Sequence, residues 1–375
     1  MGHKDMTQSL FFELLQVALG HRESLSHTPT WEEWKGALDV AKRQSLVGIC
    51  FMGAQQLQAR KDDAMMLLPI KSYVSWAGLT AKIKKRNELV DEQCLQVQEM
   101  IESHDLRCYI LKGQGNNLLY GQLAGYRQSG DIDVYIPGGF RKVNEFVQST
   151  YPTRDINELE MEYSCFEDTT VEVHYHPLIM RNPLSNRKLQ RYFKAHEEEC
   201  LAHKCKLENG GEIAIPPRGF NLVHQLAHIH LHLFTEGIGM RQLMDYYFVL
   251  LHKAQTTDEQ RDEEEAVRMI KNLGLERFAR AVMWVLGEAF GMERNNMLWE
   301  PHQEDGELLL CEILKAGNFG KHDEEQNEKK KQKGYSTWAL FVRNWRVKRF
   351  DRGEWLWGPL WRIYHHAWRK WNGYR

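Results

Sequence analysis

One short segment constrains the fold of this chain more than any other feature. Residues 131–136 read DIDVYI and interrupt a chain whose hydrophobic spacing is otherwise mostly helical. Because strand side chains alternate between two faces, Asp131 and Asp133 should point to one side, and Ile132 and Val134 to the other. Aspartate is a poor strand former, and a buried carboxylate is costly unless it is paired or bound to a metal. The segment therefore predicts a strand whose acidic face is compensated by a partner or a cation.

Further segments with strand character lie close to this one and predict a compact α/β unit over roughly residues 105 to 180. The predicted strands are RCYILKG, DIDVYI, MEYSCFED and TVEVHYHP, and the predicted helices between them are NNLLYGQL and FRKVNEFVQST. The last two strands should be joined by a tight turn around Asp168 and Thr169.

Helical periodicity dominates both sides of this unit. Before it, Thr30 and Glu33 have the spacing of a capping box, and residues 76–105 predict one long helix. After it, amphipathic helices are predicted to begin near residues 220 and 240 and to continue along the chain. The fold class is therefore predicted to be α+β, a small mixed β-sheet with extensive N- and C-terminal helices. The predicted regions are an N-terminal helical region (1–104), an α/β core (105–216), a helical region packed on the core (217–320), a charged linker (321–334) and a Trp-rich C-terminal helical tail (335–375).

A second acidic strand is predicted in TVEVHYHP. Its alternation places Glu172, His174 and His176 on one face. If this strand neighbours the first, the carboxylates of Asp131, Asp133 and Glu172 converge and repel one another, which raises their pKa values. A divalent cation with oxygen ligands, Mg²⁺ or Mn²⁺, would remove that repulsion. The alternative is that Asp131 is a turn residue and Glu172 is merely exposed, since an isolated D-x-D is common by chance.

A possible phosphate site lies upstream of the acidic strand. The segment LKGQG ends a predicted strand and opens a helix, and helix N-termini with closely approaching glycines attract phosphates. Lys112 stands at this strand end, and Arg127 precedes the first aspartate. Both cations could neutralise phosphate oxygens.

Taken together, LKG, YRQSGDIDVYI and VEVHYHP resemble the uncharacterised bacterial nucleotidyltransferase family of the polymerase-beta-like superfamily. The resemblance covers roughly residues 105 to 250 and includes a His-rich helix, LVHQLAHIH, and an R-x-x-x-D helix, RQLMDYY. It implies a nucleotidyltransferase core in which Asp131, Asp133 and Glu172 bind the metal and carry catalysis. It also implies that the nucleotide and its phosphates are held by a second set of residues. This set consists of Lys112, Gly113, Arg127 and Gly130.

The implied reaction is transfer of a nucleoside monophosphate from an NTP to an acceptor hydroxyl, with release of pyrophosphate and with Mg²⁺ or Mn²⁺ as the cofactor. One departure concerns the helix start, where the wider superfamily has Gly-Ser but this chain has Gly113-Gln114. An alternative is therefore a catalytically weak or inactive module of the same fold that binds a protein or peptide. The net charge of −2 favours a small molecule or a protein over a long nucleic acid as acceptor.

Several polar residues outside the acidic strands are possible accessory groups. The active cleft should lie between the acidic edge of the sheet and the helices of residues 217–253. His224, His228 and His232 would share one helix face, either as packing and hydrogen-bonding residues, as the lining of the nucleotide cleft or as a zinc site. Gln225 stands where the H-E-x-x-H motif needs its glutamate, so metalloprotease chemistry is not supported.

Two further accessory predictions concern an ion pair and a histidine. Arg241 and Asp245 have the i, i+4 spacing of a helix-surface ion pair, and a role in orienting the site is the alternative. His174 could orient the metal ligands or contact the acceptor, or it could be structural.

The remaining features bear on location and on the C-terminus. Seven cysteines without a CxxC motif indicate free thiols in a reducing compartment, and the cytoplasm is the expected location. Glu13 interrupts the N-terminal apolar run, which predicts an amphipathic helix rather than a signal peptide, and no apolar run is long enough to span a membrane. Seven of the twelve tryptophans lie in residues 336–375. We expect them to pack terminal helices against the body, with membrane-surface or nucleic-acid binding as alternatives.

Overall fold

The fold is taken from a computed structural model that describes residues 3–60, 68–317 and 341–374. Four helices precede the first strand: α1 (His3–Ala18), α2 (Trp31–Arg43), α3 (Val47–Ala59) and α4 (Ile70–Glu102). The capping box at the start of α2 is confirmed, because Thr30 Oγ1 accepts from Glu33 N while Glu33 accepts from Thr30 N. The long helix predicted at 76–105 is α4, which begins earlier, at Ile70.

A small mixed sheet follows. Its strands are β1 (Tyr109–Ile110), β2 (Ile132–Tyr135), β3 (Glu160–Glu162) and β4 (Val171–His174). They lie in the order β1-β2-β4-β3. The central pair, β2 and β4, is parallel, and the two outer strands are antiparallel to their neighbours. In the parallel register Asp133 lies opposite Glu172, so the two predicted acidic strands are direct neighbours.

The two strands predicted to be joined by a tight turn do pair, antiparallel, as β3 and β4, but the connection between them is longer than predicted. The strand β3 ends at Glu162, and residues 163–170 form a longer connection. Gln93 of α4 donates its side-chain amide to Asp168 at 2.8 Å and accepts from the hydroxyl of Thr169. These bonds tie the later part of the connection to α4, while its first residue, Tyr163, continues the β3–β4 ladder by donating its N–H to Val171 O at 2.9 Å.

The helix predicted at NNLLYGQL is also shorter than expected. One turn of α-helix, α5 (Gln114–Asn117), is followed by a 3₁₀ segment, Leu118–Tyr126. Gly121 has φ +55°, a conformation that breaks the helix inside this segment.

The sheet separates an apolar layer from a polar one. Its apolar face packs on α4 and on α6 (Gly139–Thr150). The buried side chains of this layer include Val90, Cys94, Val97, Ile132, Val134, Val143, Val147, Met161, Val171 and Val173. Strand alternation therefore turns Asp133, Glu160, Glu172 and His174 toward the other side.

Helices of the described residues cover that polar side. The elements after β4 are α7 (Pro183–Ala195), α8 (Glu197–Ala202), β5 (Lys204–Lys206), β6 (Glu212–Ala214), α9 (Arg218–Thr235), α10 (Met240–Leu251), α11 (Thr257–Asn272), α12 (Glu276–Phe290), a 3₁₀ turn (Arg294–Asn296), α13 (Gln303–Ala316) and α14 (Arg352–Asn372). The helix α9 is buried over most of its length and faces the acidic side of the sheet, as Lys112 Nζ lies 3.0 Å from His228 Nε2. The sheet and helices agree with the predicted α+β class.

Two predictions about the rest of the chain have different outcomes. The charged linker predicted at 321–334 lies outside the described residues. Within the described ranges, no helix is both long enough and apolar enough to cross a membrane.

Candidate metal centre

Asp133 is the centre of the polar layer. Its position in the middle of β2 buries it almost completely, with 1% of the residue exposed. Lys112 Nζ lies 2.9 Å from its Oδ1 atom, and His174 Nε2 lies 3.0 Å from the same atom. Burial alone would raise the pKa of Asp133, but Lys112 and His174 outweigh it and hold this pKa well below its usual range. Asp133 is therefore a buried, ionised carboxylate.

Neighbouring strands bring three more potential ligands to Asp133. Glu172 lies beside it on β4, and Glu160 on β3 lies opposite His174, with Glu160 Oε2 3.1 Å from His174 Nε2. One ligand atom from each of Asp133, Glu160, Glu172 and His174 lies within 4.8 Å of all the others. We call these four residues the acidic cluster. Among the described residues, they are the group whose geometry suits a metal ion.

The acidic cluster has more carboxyl groups than the neighbouring ammonium of Lys112 can neutralise. Burial raises the pKa of Glu172 far above its usual value, and the charges of Glu160, Asp133 and Asp131 raise it further. The ammonium of Lys112 has a raised pKa, because its acidic neighbours outweigh the effect of burial. One ammonium thus faces three carboxyl groups, and the raised pKa of Glu172 means that its protonated form is favoured. A divalent cation between the three groups would keep all of them ionised.

Asp131 lies outside the acidic cluster, contrary to the expectation that it would join Asp133 as a ligand. The strand β2 begins at Ile132, so Asp131 belongs to the preceding loop and remains partly exposed. Strand pairing does not hold its side chain on the face that Asp133 occupies. Its charge still reaches the site, since it contributes to the raised pKa values of Lys112 and Glu172.

Glu160 is the cluster residue that the sequence analysis missed. The strand predicted there began at Met161, one residue too late. The alternation Glu160-Met161-Glu162, with the apolar residue buried, was the available signal.

Arg127 was predicted to bind phosphate, but the structure pairs it with Asp245. Arg127 Nε and Nη2 donate to the two carboxylate oxygens at 2.7 and 2.8 Å, and the Tyr120 hydroxyl donates to Oδ1 at 2.6 Å. The side chains of Arg127 and Asp245 are 3% and 7% exposed. Two of the donor nitrogens needed for phosphate are therefore already used in a buried ion pair.

The ion pair predicted for Arg241 and Asp245 is not on the surface, because both residues are buried, although their charges still act on each other. Arg241 Nη1 instead donates to Gln128 O at 2.9 Å. Arg127 and Gln128 belong to the loop that leads into β2, so both contacts fix this loop to α10. This arrangement agrees with the alternative interpretation, in which the R-x-x-x-D helix orients the site.

The glycines of the predicted phosphate site allow close backbone approach. Gly113 has φ +65°, and a Cβ there would lie 3.5 Å from Asp131 O. A Cβ on Gly130 would lie 3.4 Å from Arg241 Nη1. The helix after Gly113 is a single turn, so its dipole offers less to a phosphate than the predicted helix would.

The histidines of α9 form a buried column. His224 Nε2 lies 3.1 Å from Pro177 O, and His228 Nε2 lies 3.0 Å both from Lys112 Nζ and from His232 Nε2. Burial lowers the pKa of His224 and of His232 to about 3 and lowers that of His228 well below its usual value, so all three rings are neutral. The column is packed and hydrogen-bonded, which agrees with the first of the three predicted roles, and His228 connects it to the acidic cluster through Lys112.

An open cavity of about 430 Å³ lies beside the loop that leads into β2. Its lining residues are Lys42, Val47, Leu79, Lys82, Ile83, Arg86, Gln128 and Ser129. Ser129 precedes Asp133 by four residues, so the chain separates them by at most ~14 Å. The cavity and the acidic cluster are therefore linked by the same short stretch of chain.

Comparison with known proteins gives one family match. Residues 31–291 match the family model described as uncharacterised nucleotidyltransferase. A crystal structure of an antigenic nucleotidyltransferase-like protein from Paracoccidioides brasiliensis also aligns, at 11% identity and a TM-score of 0.30. That alignment covers 55% of this chain and 95% of the fungal chain. Among curated proteins, the search finds no significant match.

Proposed function

Because the chain belongs to the family of uncharacterised nucleotidyltransferases, we propose that it transfers a nucleoside monophosphate from an NTP to an acceptor hydroxyl and releases pyrophosphate. The observation that carries this proposal is the convergence of Asp133, Glu160, Glu172 and His174 within 4.8 Å of one another. Paired carboxylates at such a distance are the usual means of holding the divalent cation that phosphoryl chemistry requires.

The donor set of the acidic cluster fits Mg²⁺ or Mn²⁺. Three carboxylates supply the hard oxygen ligands that both ions prefer, and the single imidazole nitrogen is also compatible with Mn²⁺. Asp131, at the partly exposed edge of the site, would add a further oxygen when substrate is present. When bound, such an ion lowers the pKa of the acceptor hydroxyl and offsets charge on the phosphates.

Two side chains have protonation properties that suit the reaction. Glu172 lies beside Asp133 on the neighbouring strand and, kept ionised by the cation, would accept the proton of the acceptor hydroxyl. Lys112 keeps its proton, because its acidic neighbours raise its pKa, and would offset negative charge on the transferred phosphate. His228, held neutral by burial, accepts a hydrogen bond from Lys112 and so keeps the ammonium at the site.

The cavity beside the β2 loop is the proposed place for the anionic part of a substrate. Lys42, Lys82 and Arg86 bring three positive charges to its lining, and no acidic residue lines it. Val47, Leu79 and Ile83 supply an apolar wall. Such a combination suits a small molecule that carries phosphate or carboxylate groups. The near-neutral net charge of the chain again favours a small molecule or a protein as acceptor over a long nucleic acid.

A titration of the purified protein with each of the four NTPs, in the presence of Mn²⁺ or Mg²⁺, tests this function. We expect metal-dependent binding of at least one NTP, and we expect Asp133→Asn to abolish it. Glu162→Gln is the matched control, because Glu162 lies next to the acidic cluster on β3 but is exposed. Equal NTP affinity in Asp133→Asn and in the unaltered protein would contradict the proposal.

The alternative, a binding module with little or no catalysis, is favoured by one observation. At the helix start the chain has Gln114 instead of serine, and its side chain donates to Asp91 and to Asn87 O. Gln114 is therefore engaged within the protein and not available to grip phosphate. If all four NTP titrations are silent with both metals, this alternative becomes the better account.

A further inference from the structure

The C-terminal helix α14 (Arg352–Asn372) exposes an unusual number of large apolar side chains. Six of them are between 43% and 91% exposed. They are Leu356, Trp357, Leu360, Ile363, Tyr364 and Trp371. Large apolar side chains that are exposed singly need no explanation, but a continuous group of this kind marks an interaction surface.

These six side chains form one stripe. At 100° of rotation per residue they fall within about 120° of the helix circumference. The opposite side of the helix docks on the body: Glu354 accepts hydrogen bonds from Arg181 N and Asn182 N, and His365 Nδ1 lies 3.0 Å from Glu158. The stripe is therefore presented to solvent by a helix whose other face is already anchored. We call it the apolar stripe.

Positive charge borders the apolar stripe. Residues 341–374 contain eight Lys and Arg residues but two acidic residues, which gives this segment a formal charge of +6 in a chain whose net charge is −2. By the same helical rotation, Arg352 and Lys370 lie at one edge of the stripe. Of the two acidic residues, Glu354 is buried against the body. Arg346 and Arg349 are paired with acidic residues of the body, so the exposed cations that border the stripe are Arg352 and Lys370.

We propose that the apolar stripe binds the surface of an anionic lipid bilayer. A helix with a Leu-, Ile- and Trp-rich face and Lys or Arg at its border is suited to lie in the plane of the headgroups. Its apolar side chains then enter the boundary with the acyl chains, while Arg352 and Lys370 reach anionic headgroups. The anchored face would hold the rest of the protein against the membrane.

Other occupants fit this surface less well. A second copy of the chain, related by a two-fold axis, would bring the cations at the border of one stripe against those of the other. A single-stranded nucleic acid would match the charge and would find faces for base stacking on Trp357, Tyr364 and Trp371, but it would leave the aliphatic side chains between them exposed to water. An anionic bilayer matches both the charge and the aliphatic centre.

The test is co-sedimentation of the full chain with sucrose-loaded vesicles, some of phosphatidylcholine alone and some containing 30% phosphatidylserine. We expect binding to the anionic vesicles that weakens at high salt and little binding to the neutral ones. Leu360→Ser with Ile363→Ser should reduce the partition coefficient at least about tenfold. Leu184→Ser is the matched control, because Leu184 is exposed to a similar or greater degree but lies outside the stripe.

Two results would overturn the proposal. One is equal partition of the unaltered protein and the Leu360→Ser, Ile363→Ser variant, with circular dichroism confirming that the variant is folded. The other is no binding to anionic vesicles, together with either dimerisation in sedimentation equilibrium or binding of a labelled oligonucleotide that depends on the same two residues. Metal and NTP titrations of the variant should be unchanged, so the membrane proposal can fail independently of the proposed transferase function.

Discussion

The buried ion pair between Arg127 and Asp245 should make a large contribution to stability that depends on both partners. Replacing Asp245 by asparagine leaves the guanidinium of Arg127 without its counter-charge in a site where the two side chains are 3% and 7% exposed. It also weakens three bonds, those from Arg127 Nε, Arg127 Nη2 and the Tyr120 hydroxyl, at 2.7, 2.8 and 2.6 Å. Removal of one partner from such a pair costs about 3 to 5 kcal/mol. We expect this loss in the free energy of unfolding of Asp245→Asn.

The double replacement Arg127→Met with Asp245→Leu separates the two sources of this loss. An apolar pair of similar volume removes the charges of both partners together, and although the Tyr120 hydroxyl and Arg241 lose their interaction with Asp245, the double variant should be more stable than either single variant. Guanidinium denaturation followed by circular dichroism measures all four proteins, including the unaltered one. The exposed pair Arg107–Glu198, with side chains 62% and 72% exposed, is the control, and Glu198→Gln should leave the midpoint nearly unchanged.

Acid titration adds a second readout. Burial would raise the pKa of Asp245, but Arg127 outweighs it and lowers this pKa. The stabilising contribution is therefore complete above the pKa of an unfolded aspartate and is lost as the pH falls toward the folded value. Asp245→Asn should show a shallower loss of stability in acid. The reasoning would be refuted if Asp245→Asn shifted the guanidinium midpoint no more than Glu198→Gln.

Three further predictions concern separate parts of the molecule. Gly53→Ala should destabilise the protein by about 1 to 3 kcal/mol in thermal melts, because the new Cβ would overlap Leu14 O. Gly78→Ala is the control and should not destabilise the protein, because a Cβ there meets no atom within 4 Å. Burial raises the pKa of Glu354 from 4.5 to about 7, so the folded state binds this proton more tightly than the unfolded state does. The free energy of unfolding should therefore fall as the pH rises from 4.5 to about 7. Glu354→Gln should flatten this part of the pH–stability profile, and an unchanged slope would contradict the assignment. Lys112→Met removes a positive charge from beside Asp133, so calorimetry should show tighter Mn²⁺ binding but weaker NTP binding. A loss of both Mn²⁺ and NTP binding would contradict a phosphate role for Lys112.

The sequence predicted the faces of the strands better than their ends. Alternation alone indicated that Asp133 and Glu172 would share a side, and the parallel pairing of β2 with β4 places them opposite each other. The same alternation could not say where each strand begins. For that reason Asp131 was assigned to the strand, although it precedes β2, and Glu160 was left out, although it belongs to β3.

Partners distant in sequence were harder to predict. The i, i+4 rule suggested Arg241 for Asp245, but the observed partner, Arg127, is 118 residues away. Such a pair is selected by packing of α10 against the β2 loop, which no local pattern encodes. The connection before β4 also depends on a contact between distant parts of the chain, since Asp168 in it accepts a hydrogen bond from Gln93 on α4.

The most direct test of the account is a crystal of the protein soaked in Mn²⁺ and measured for anomalous scattering. We predict a peak between the carboxylates of Asp133, Glu160 and Glu172, with His174 beside it. Loss of that peak in Glu160→Gln, with the fold unchanged, would confirm the ligand that the sequence alone did not reveal. The absence of any peak at these residues under saturating Mn²⁺, or a peak at the histidines of α9 instead, would contradict the central claim that the sheet was built to hold a divalent cation.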